Sequence, residues 1–251
     1  MKREHLRGKL IRASACCLAA LLMVAGGASG QGAPPSGEEP SKEAERLARA
    51  AEVFKEIMDT PDQTIPRDLL DRSCCIVVIP NMLKAGFVFG GRYGKGAVAC
   101  RKDQGAGAWG PPSMVTLGGG SFGLQIGGAA VDVIMLVMNP SGVRSLLQDK
   151  VTLGGDMSAA AGPVGRAATA ETDAEMNAKI LTYSRSHGLF AGLELKGAAL
   201  FQDRDANRSL YHRNIRAREL LLEGTMPIPP EARQFIEQLT NVSPTRNKRP
   251  L

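Results

Sequence analysis

The segment Thr116 to Gly128, TLGGGSFGLQIGG, carries two patterns associated with chemistry. Gly118, Gly120 and Gly123 fit G-x-G-x-x-G, whose glycines let backbone N–H groups approach a pyrophosphate at a helix start. Gly119, Ser121 and Gly123 fit G-x-S-x-G, in which a strained strand-to-helix turn exposes a serine nucleophile. Both chemistries require a helix immediately afterwards. The sequence continues instead as LQIGGAAVDVIML, with paired glycines and β-type residues. A dinucleotide site also needs an acid about twenty residues on; Met138 and Asn139 stand there, with Asp132 too early and Asp149 too late. A hydrolase has the right chain order available, through Asp156 or Asp173 with His187, or Asp203 with His212. Ser121 with His187 or His212 is therefore kept as the catalytic alternative. The favoured reading is structural, because glycines inside a strand mark bulges or close backbone approach. The chain holds 29 glycines, enough for short glycine patterns to arise by chance.

Other reactive groupings are incomplete. GGRYGKG, Gly90 to Gly96, is one residue short of a phosphate loop and has no Ser or Thr after the lysine. Asp203 to Asn207, DRDAN, begins like a calcium loop, but Arg208 stands where glycine belongs and Asn214 where the bidentate glutamate belongs. Those acids read better as the start of a helix. There is no C-x-x-C and no H-E-x-x-H. No catalytic residue, cofactor or metal is expected.

The elements that must position any site read as follows. Residues 1–30 have the layout of a secretory signal. Lys2, Arg3, Arg7, Lys9 and Arg12 precede an apolar run from Ala13 to Ala25, and small residues follow. Arg12 and the lack of an apolar run before Cys16 argue against a lipoprotein signal. Residues 31–40, QGAPPSGEEP, read as a flexible linker. Ser41 then caps a helix whose face holds Ala44, Leu47, Ala48, Ala51, Phe54, Ile57 and Met58. Thr64 and Pro66 open a short second helix ending near Arg72. From Cys74 the texture is β: CCIVVIP, then AGFVFGGRYGKGAVACR as two strands joined around Arg92 to Lys95, then MVTLGGGSFGLQIGG and AVDVIMLVM. SGVRSLLQ reads as a helical turn or two, ILTYSRS and GLFAGLELKGAALF as strands. Ala206 to Glu223 and the stretch from Pro229 or Pro230 to Leu239 read as helices. The expected class is α+β, a glycine-rich antiparallel sheet or partial barrel flanked by N-terminal and C-terminal helices. Residues 41–224 form the main domain, and residues 225–251 a C-terminal helix and tail.

Charge and cysteine content bound the partners. The chain has 31 Lys and Arg against 25 Asp and Glu, but removing residues 1–30 leaves 26 against 24. A nearly neutral mature chain gives no case for nucleic acid. Beyond the signal only Cys74, Cys75 and Cys100 remain. Cys74 and Cys75 point to opposite faces of a strand, so at most one can pair with Cys100, and buried thiols are the expectation.

Five blocks in order, IPNMLKAGFVFGGRYGKG, GSFGLQIGG, GGDMSAAAGPVGR, YSRSHGLFAGLELKG and DANRSLYH, resemble the SYLF-domain family over roughly Leu47 to Leu222. The resemblance implies phospholipid binding of the phosphoinositide type, actin binding in some fungal members, and no catalysis. In eukaryotic members a basic amphipathic N-terminal segment contributes to membrane binding. Here Arg46, Arg49 and Lys55 alternate with Glu45, Glu52 and Glu56, a balance that argues against strong phosphoinositide selectivity. Three lipid-binding candidates stand out. The first is Lys84, Arg92 and Lys95, whose neighbouring glycines would admit a headgroup to backbone N–H donors. The second is Arg166, a guanidinium able to hold phosphate bidentately. The third is the run Arg208, His212, Arg213, Arg216 and Arg218, with Arg208, His212 and Arg216 on one face at helical spacing. The expected partner is an anionic phospholipid membrane at the periplasmic or outer cell surface, with a protein partner as the alternative.

Overall fold

Ser41 opens the first helix, α1 (Lys42–Met58), by accepting the Ala44 N–H on its hydroxyl at 3.1 Å. Glu43 and Glu45 follow in the first turn, where the helix dipole favours acids. The buried face holds Leu47, Ala50, Ala51, Val53, Phe54 and Ile57. Ala48 is exposed, so the face is turned slightly from the one expected. Pro66, with φ fixed near the helical value, precedes α2 (Arg67–Arg72).

The computed structural model describes residues 40–60, 65–86, 89–122, 127–164, 178–186 and 189–245. Residues 1–30, read from the sequence as a secretory signal, most of the expected linker, Arg166 and His187 lie outside them. No helix among the described residues is long and apolar enough to cross a membrane.

Among the described residues nine strands form one sheet in the order β5-β9-β3-β2-β1-β4-β7-β6, with β8 also paired to β7. The strands are β1 (Cys75–Gly86), β2 (Phe89–Cys100), β3 (Ser113–Phe122), β4 (Gly127–Val137), β5 (Lys150–Thr152), β6 (Ala159–Ala161), β7 (Ile180–Ser186), β8 (Leu189–Gly192) and β9 (Ala199–Gln202). All pairings are antiparallel except β6 with β7, so this strongly curled half-barrel is mixed. Short helices α3 (Lys102–Gly105) and α4 (Pro140–Leu146) follow β2 and β4. Asn139 caps α4 by accepting the Gly142 N–H at 2.9 Å. After β9 come α5 (Arg204–Tyr211), a π-helical turn over Glu219–Glu223, a 3-10 turn over Pro230–Ala232, and α6 (Arg233–Val242). The architecture is the expected α+β sheet flanked by N-terminal and C-terminal helices.

Two boundaries differ from the expected ones, each for a physical reason. β1 runs to Gly86 and β2 starts at Phe89, so the two strands are not joined around Arg92 to Lys95, which lie inside β2. Gly94 and Gly96 are not turn glycines; they admit β1. A Cβ at Gly96 would meet the Val78 carbonyl oxygen at 1.9 Å, and one at Gly94 would meet Ile79 Cγ2 at 2.6 Å. The helix expected from Ala206 to Glu223 is broken at His212, which ends α5 in the left-handed conformation at φ 53°.

Helices α1 and α6 pack against each other, and Phe54 of α1 and Phe235 of α6 are fully buried. One face of the sheet presents Ile76, Val78, Ile134 and Leu136 toward this layer, as cross-strand register requires. A buried guanidinium closes the end of the sheet near residue 100. Arg101 donates to the carbonyls of Ser243 (2.7 Å) and Pro244 (3.1 Å) and stacks 4.2 Å over the Trp109 ring. Trp109 Nε1 donates to the Ser243 carbonyl at 3.0 Å, so the end of α6 is tied to the sheet. Cys75 and Cys100, directly opposite on β1 and β2 with Cα atoms 4.0 Å apart, form a disulfide. This corrects the expectation of buried thiols throughout. Cys74 is buried outside the bond.

Candidate anion-binding surfaces

The site is built on an irregularity in β1. Pro80 and Asn81 form a β-bulge that shifts register against both neighbours, between Val78 and Leu83 on the β2 side and between Ile79 and Met82 on the β4 side. Asn81 takes φ 48°, a conformation that asparagine tolerates better than most residues, and donates its N–H to Asp132 Oδ1 at 2.9 Å. Asp132 Oδ2 in turn accepts Arg185 Nε (3.2 Å) and Nη2 (2.9 Å), and Arg185 also pairs with Glu56 of α1. Burial works against the Arg185 charge, but these two carboxylates outweigh it and raise its pKa. The bulge is thus pinned from α1 through β7 to β4.

Its consequence is chemical. Beyond the bulge Leu83 pairs with Tyr93 and Lys84 with Arg92. Without the extra residue Leu83 would stand opposite Arg92. The bulge instead sets two cations side by side on one face, a juxtaposition that costs stability. Neither has a carboxylate partner among the described residues. Burial and the Arg92 charge together hold Lys84 below the usual lysine range. An anion bound between them would relieve both causes.

Lys95 does not join this pair. It projects to the other face of β2, where its ammonium lies 3.2 Å from Asp203 Oδ2. Asp203 also receives Arg46 at 3.1 Å and caps α5 by accepting the Ala206 N–H at 3.2 Å on Oδ1. Burial alone would raise the pKa of Asp203, but the Ala206 N–H and the two cations outweigh it and lower it. Lys95 is therefore spent on a structural ion pair. The glycines of β1 and β2 beside Lys84 do not offer the expected free donors, since both strands have paired neighbours on both sides along the Gly86–Gly90 and Gly91–Gly120 rows.

The third candidate group is divided. Arg208 and Arg216 line a cleft of about 660 Å³ together with Arg204, Arg218, Asp149 and Glu219. They meet because the chain turns back after His212, not through helical spacing. His212 and Arg213 are exposed and outside the cleft lining; Arg213 reaches Met226 Sδ at 3.9 Å. Inside the cleft Arg204 pairs with Asp149 and Arg208 with Asp205. Arg216 and Arg218 also line the cleft; Arg216 donates its backbone N–H to Glu219 Oε1 at 3.1 Å, and neither guanidinium has a carboxylate partner among the described residues. Arg218 belongs to the basic run read from the sequence, whereas sequence reasoning missed Arg204, which stands just ahead of that run.

The catalytic alternative loses its context. Ser121 belongs to β3 and pairs with Gly90, and the next described element is strand β4, where the nucleophile elbow or a dinucleotide loop requires a helix. His212 is an exposed helix cap. No group of His, Cys, Asp and Glu able to hold a metal occurs among the described residues.

Residues 118–242, from the β3 glycines to the end of α6, match the family model described as "Ysc84: Las17-binding protein actin regulator". Protein YSC84 of Saccharomyces cerevisiae is 34% identical over 202 residues, 79% of this chain and 42% of that protein. The chain belongs to the Ysc84, or SYLF-domain, family. LAS seventeen-binding protein 3 of the same yeast is 38% identical over 172 residues, 67% of this chain and 37% of that protein. The human SH3 domain-containing YSC84-like protein 1 is 32% identical over 200 residues, 78% and 57% of the two chains. A match as long as that to YSC84 necessarily includes β1 to β4, and with them the Lys84–Arg92 pair. The chain spans about half the length, or less, of these SYLF relatives. The family description is that of a regulator that binds, not of an enzyme.

Proposed function

We propose that this SYLF protein is an exported, non-catalytic binding protein whose ligand is the anionic headgroup of phospholipid membranes. The observation that carries the reading is the Lys84–Arg92 row, two adjacent cations with no carboxylate partner among the described residues, held together by a pinned bulge. A site that accepts a repulsive pair at the surface is suited to a ligand that supplies the missing negative charge. Each base near an anionic bilayer contributes about 1 kcal/mol, so the pair gives a modest, salt-screened attraction. Export is supported by the layout of residues 1–30 and by the Cys75–Cys100 disulfide, a bond rare in reducing compartments.

Co-sedimentation of the purified protein with phosphatidylcholine vesicles, with and without phosphatidylserine, tests the reading. Binding is expected only with phosphatidylserine, is expected to weaken with salt, and is expected to be lost in the double variant Lys84→Glu/Arg92→Glu. Binding unchanged in that variant would remove the row as the site. A protein partner is the second reading, favoured by the names of the family and its yeast relatives. Absence of binding to any vesicle, with capture of actin filaments, would favour it.

A further inference from the structure

The cleft of about 660 Å³ stands apart from the Lys84–Arg92 row. Gln202 in its lining lies opposite Val115 of β3, while Arg92 lies opposite Gly119, four residues farther along that strand. At about 3.3 Å per residue the two levels are roughly 13 Å apart. Three chain segments wall the cleft: the stretch between α4 and β5, the first turns of α5, and the stretch after His212. Its floor is fixed. Gln202 donates to the Leu146 carbonyl at 2.6 Å and accepts the Ser113 hydroxyl at 3.1 Å, and the lining residues Ile215 and Ala217 are buried.

Ile215 and Ala217 alternate with Arg216 and Arg218. Because the apolar members are held in the core, the two arginines are left exposed at the cleft wall. The carboxylate next to them in sequence is committed elsewhere. Glu219 accepts the Arg216 backbone N–H at 3.1 Å and returns its own N–H to the Arg216 carbonyl at 3.0 Å, the reciprocal bonding of a helix start. The other two acids of the lining are engaged as well, Asp149 with Arg204 and Asp205 with Arg208. Four guanidiniums thus stand among three committed carboxylates, and two of the four have no carboxylate contact among the described residues.

The chemistry of the wall selects a ligand. A guanidinium is planar, permanently charged and presents parallel N–H groups that fit phosphate oxygens. Two of them side by side suit a dianion better than a monoanion. A phosphate monoester carries about −1.5 to −2 at neutral pH, whereas a diester carries a single charge. The rest of the wall is hydrophilic. The exposed Asn214 amide and the Asp149 and Asp205 carboxylates can hydrogen-bond hydroxyl groups on the molecule that bears the phosphate. The cleft volume lies in the range of small-molecule sites.

We infer that this cleft is a second binding site, for a phosphate monoester on a hydroxyl-bearing molecule, with Arg216 and Arg218 holding the phosphate. The site differs from the Lys84–Arg92 row in place and in ligand. The row responds to the charge density of a surface, the cleft to the second negative charge of one phosphate. The monoester can be free in solution or at the head of a lipid, since both present the same dianion. The inference does not rest on the lipid reading of the row.

Calorimetric titration of the purified protein with glycerol phosphate, a monoester, and with glycerophosphocholine, a diester, tests it. Phosphatidylcholine vesicles containing phosphatidic acid present the monoester on a bilayer. The monoester, free or on vesicles, is expected to bind at least about tenfold more tightly than the diester. Arg216→Ala/Arg218→Ala is expected to lose about tenfold or more, the worth of a charge-assisted hydrogen bond. Arg216→Lys/Arg218→Lys keeps the charge without the planar fork and is expected to recover only part. Cooperative urea unfolding establishes that each variant is folded. Binding of free glycerol phosphate assigns the site a soluble ligand; binding confined to phosphatidic acid vesicles assigns it a lipid. Equal affinity for the diester, affinity unchanged in Arg216→Ala/Arg218→Ala, or no binding of the monoester in either form would overturn the inference. Lys84→Glu/Arg92→Glu is expected to bind the monoester as wild type does, and Arg216→Ala/Arg218→Ala to sediment with phosphatidylserine vesicles as wild type does. The two sites therefore fail separately.

Discussion

Gly96 and Gly91 lie five residues apart in the same strand, and the two ends of the sheet differ as these glycines do. A Cβ at Gly96 would meet the Val78 carbonyl oxygen at 1.9 Å, while one at Gly91 would meet nothing within 4 Å. At the first end, glycine is demanded by packing against the β1 bulge, with the disulfide and the Arg101 guanidinium beyond it. At the second, glycine leaves bare backbone in the open, beside two cations that repel each other. The lesson is that one end of the molecule is arranged for stability and the other carries a local cost that packing does not explain.

The largest effect expected from breaking this contrast is at Gly96. Gly96→Ala forces β1 and β2 apart at a backbone-to-backbone contact, and a loss of more than about 4 kcal/mol is expected. Urea unfolding measures it; a loss below about 1 kcal/mol would mean that the bulge yields readily.

Reduction of the disulfide comes next. Cys75 and Cys100 are 25 residues apart in sequence, and closing a loop of that order stabilises by about 3–4 kcal/mol on the chain-entropy account. Unfolding with and without reductant is expected to show a drop of that order, with vesicle binding by the remaining folded protein unaltered. A simultaneous loss of vesicle binding would show that the two ends are coupled.

Much of this contrast was legible in the sequence, and the parts that were not share a cause. Alternation and β-branching located β1, β2, β3, β4 and β7, and Ser41 marked the start of α1. What local pattern did not reveal was register. The Pro80-Asn81 bulge decides that Lys84 faces Arg92, and nothing in residues 75–86 alone fixes it without Asp132, fifty-one residues away. Lys95 looked equivalent to Arg92 until Asp203 came into contact from the far end of the chain. Cys75 could be paired with Cys100 only once both strands were in register. His212 lacked the glycine that usually signals a helix end, so α5 was expected to run on. Local chemistry reads elements well, whereas long-range pairing decides which of their charges remain available.

A smaller and oppositely signed effect is expected at Lys84. Lys84→Gln removes the like-charge contact with Arg92 and is expected to raise stability by a few tenths of a kcal/mol while weakening binding to phosphatidylserine vesicles about fivefold. The pH dependence has a definite sign. The folded-state pKa of Lys84 lies below its unfolded value, so the cost of its charge is fully present below the folded pKa and is relieved as pH rises through it. Stability at this position is therefore expected to improve with pH over the interval between the lowered and the ordinary lysine pKa. Vesicle binding is expected to decline over the same interval, whereas Lys84→Arg keeps its charge and its binding throughout. Parallel pH profiles of wild type and Lys84→Arg, by unfolding and by co-sedimentation, measure both.

The smallest effect, and the sharpest test of what the open glycines do, is expected at Gly91. Gly91→Ala meets no atom, keeps an extended backbone and lowers the entropy of the unfolded chain, so stability is expected to rise by about 0.5–1 kcal/mol. Its N–H and carbonyl groups are committed to the ladders with β1 and β3, so a headgroup has no free donor to lose there. Vesicle binding is accordingly expected to stay at the wild-type value, because the attraction belongs to Lys84 and Arg92. A variant that becomes more stable yet binds vesicles less would mean that the bare backbone itself takes part. The glycine rows would then count as contact surface.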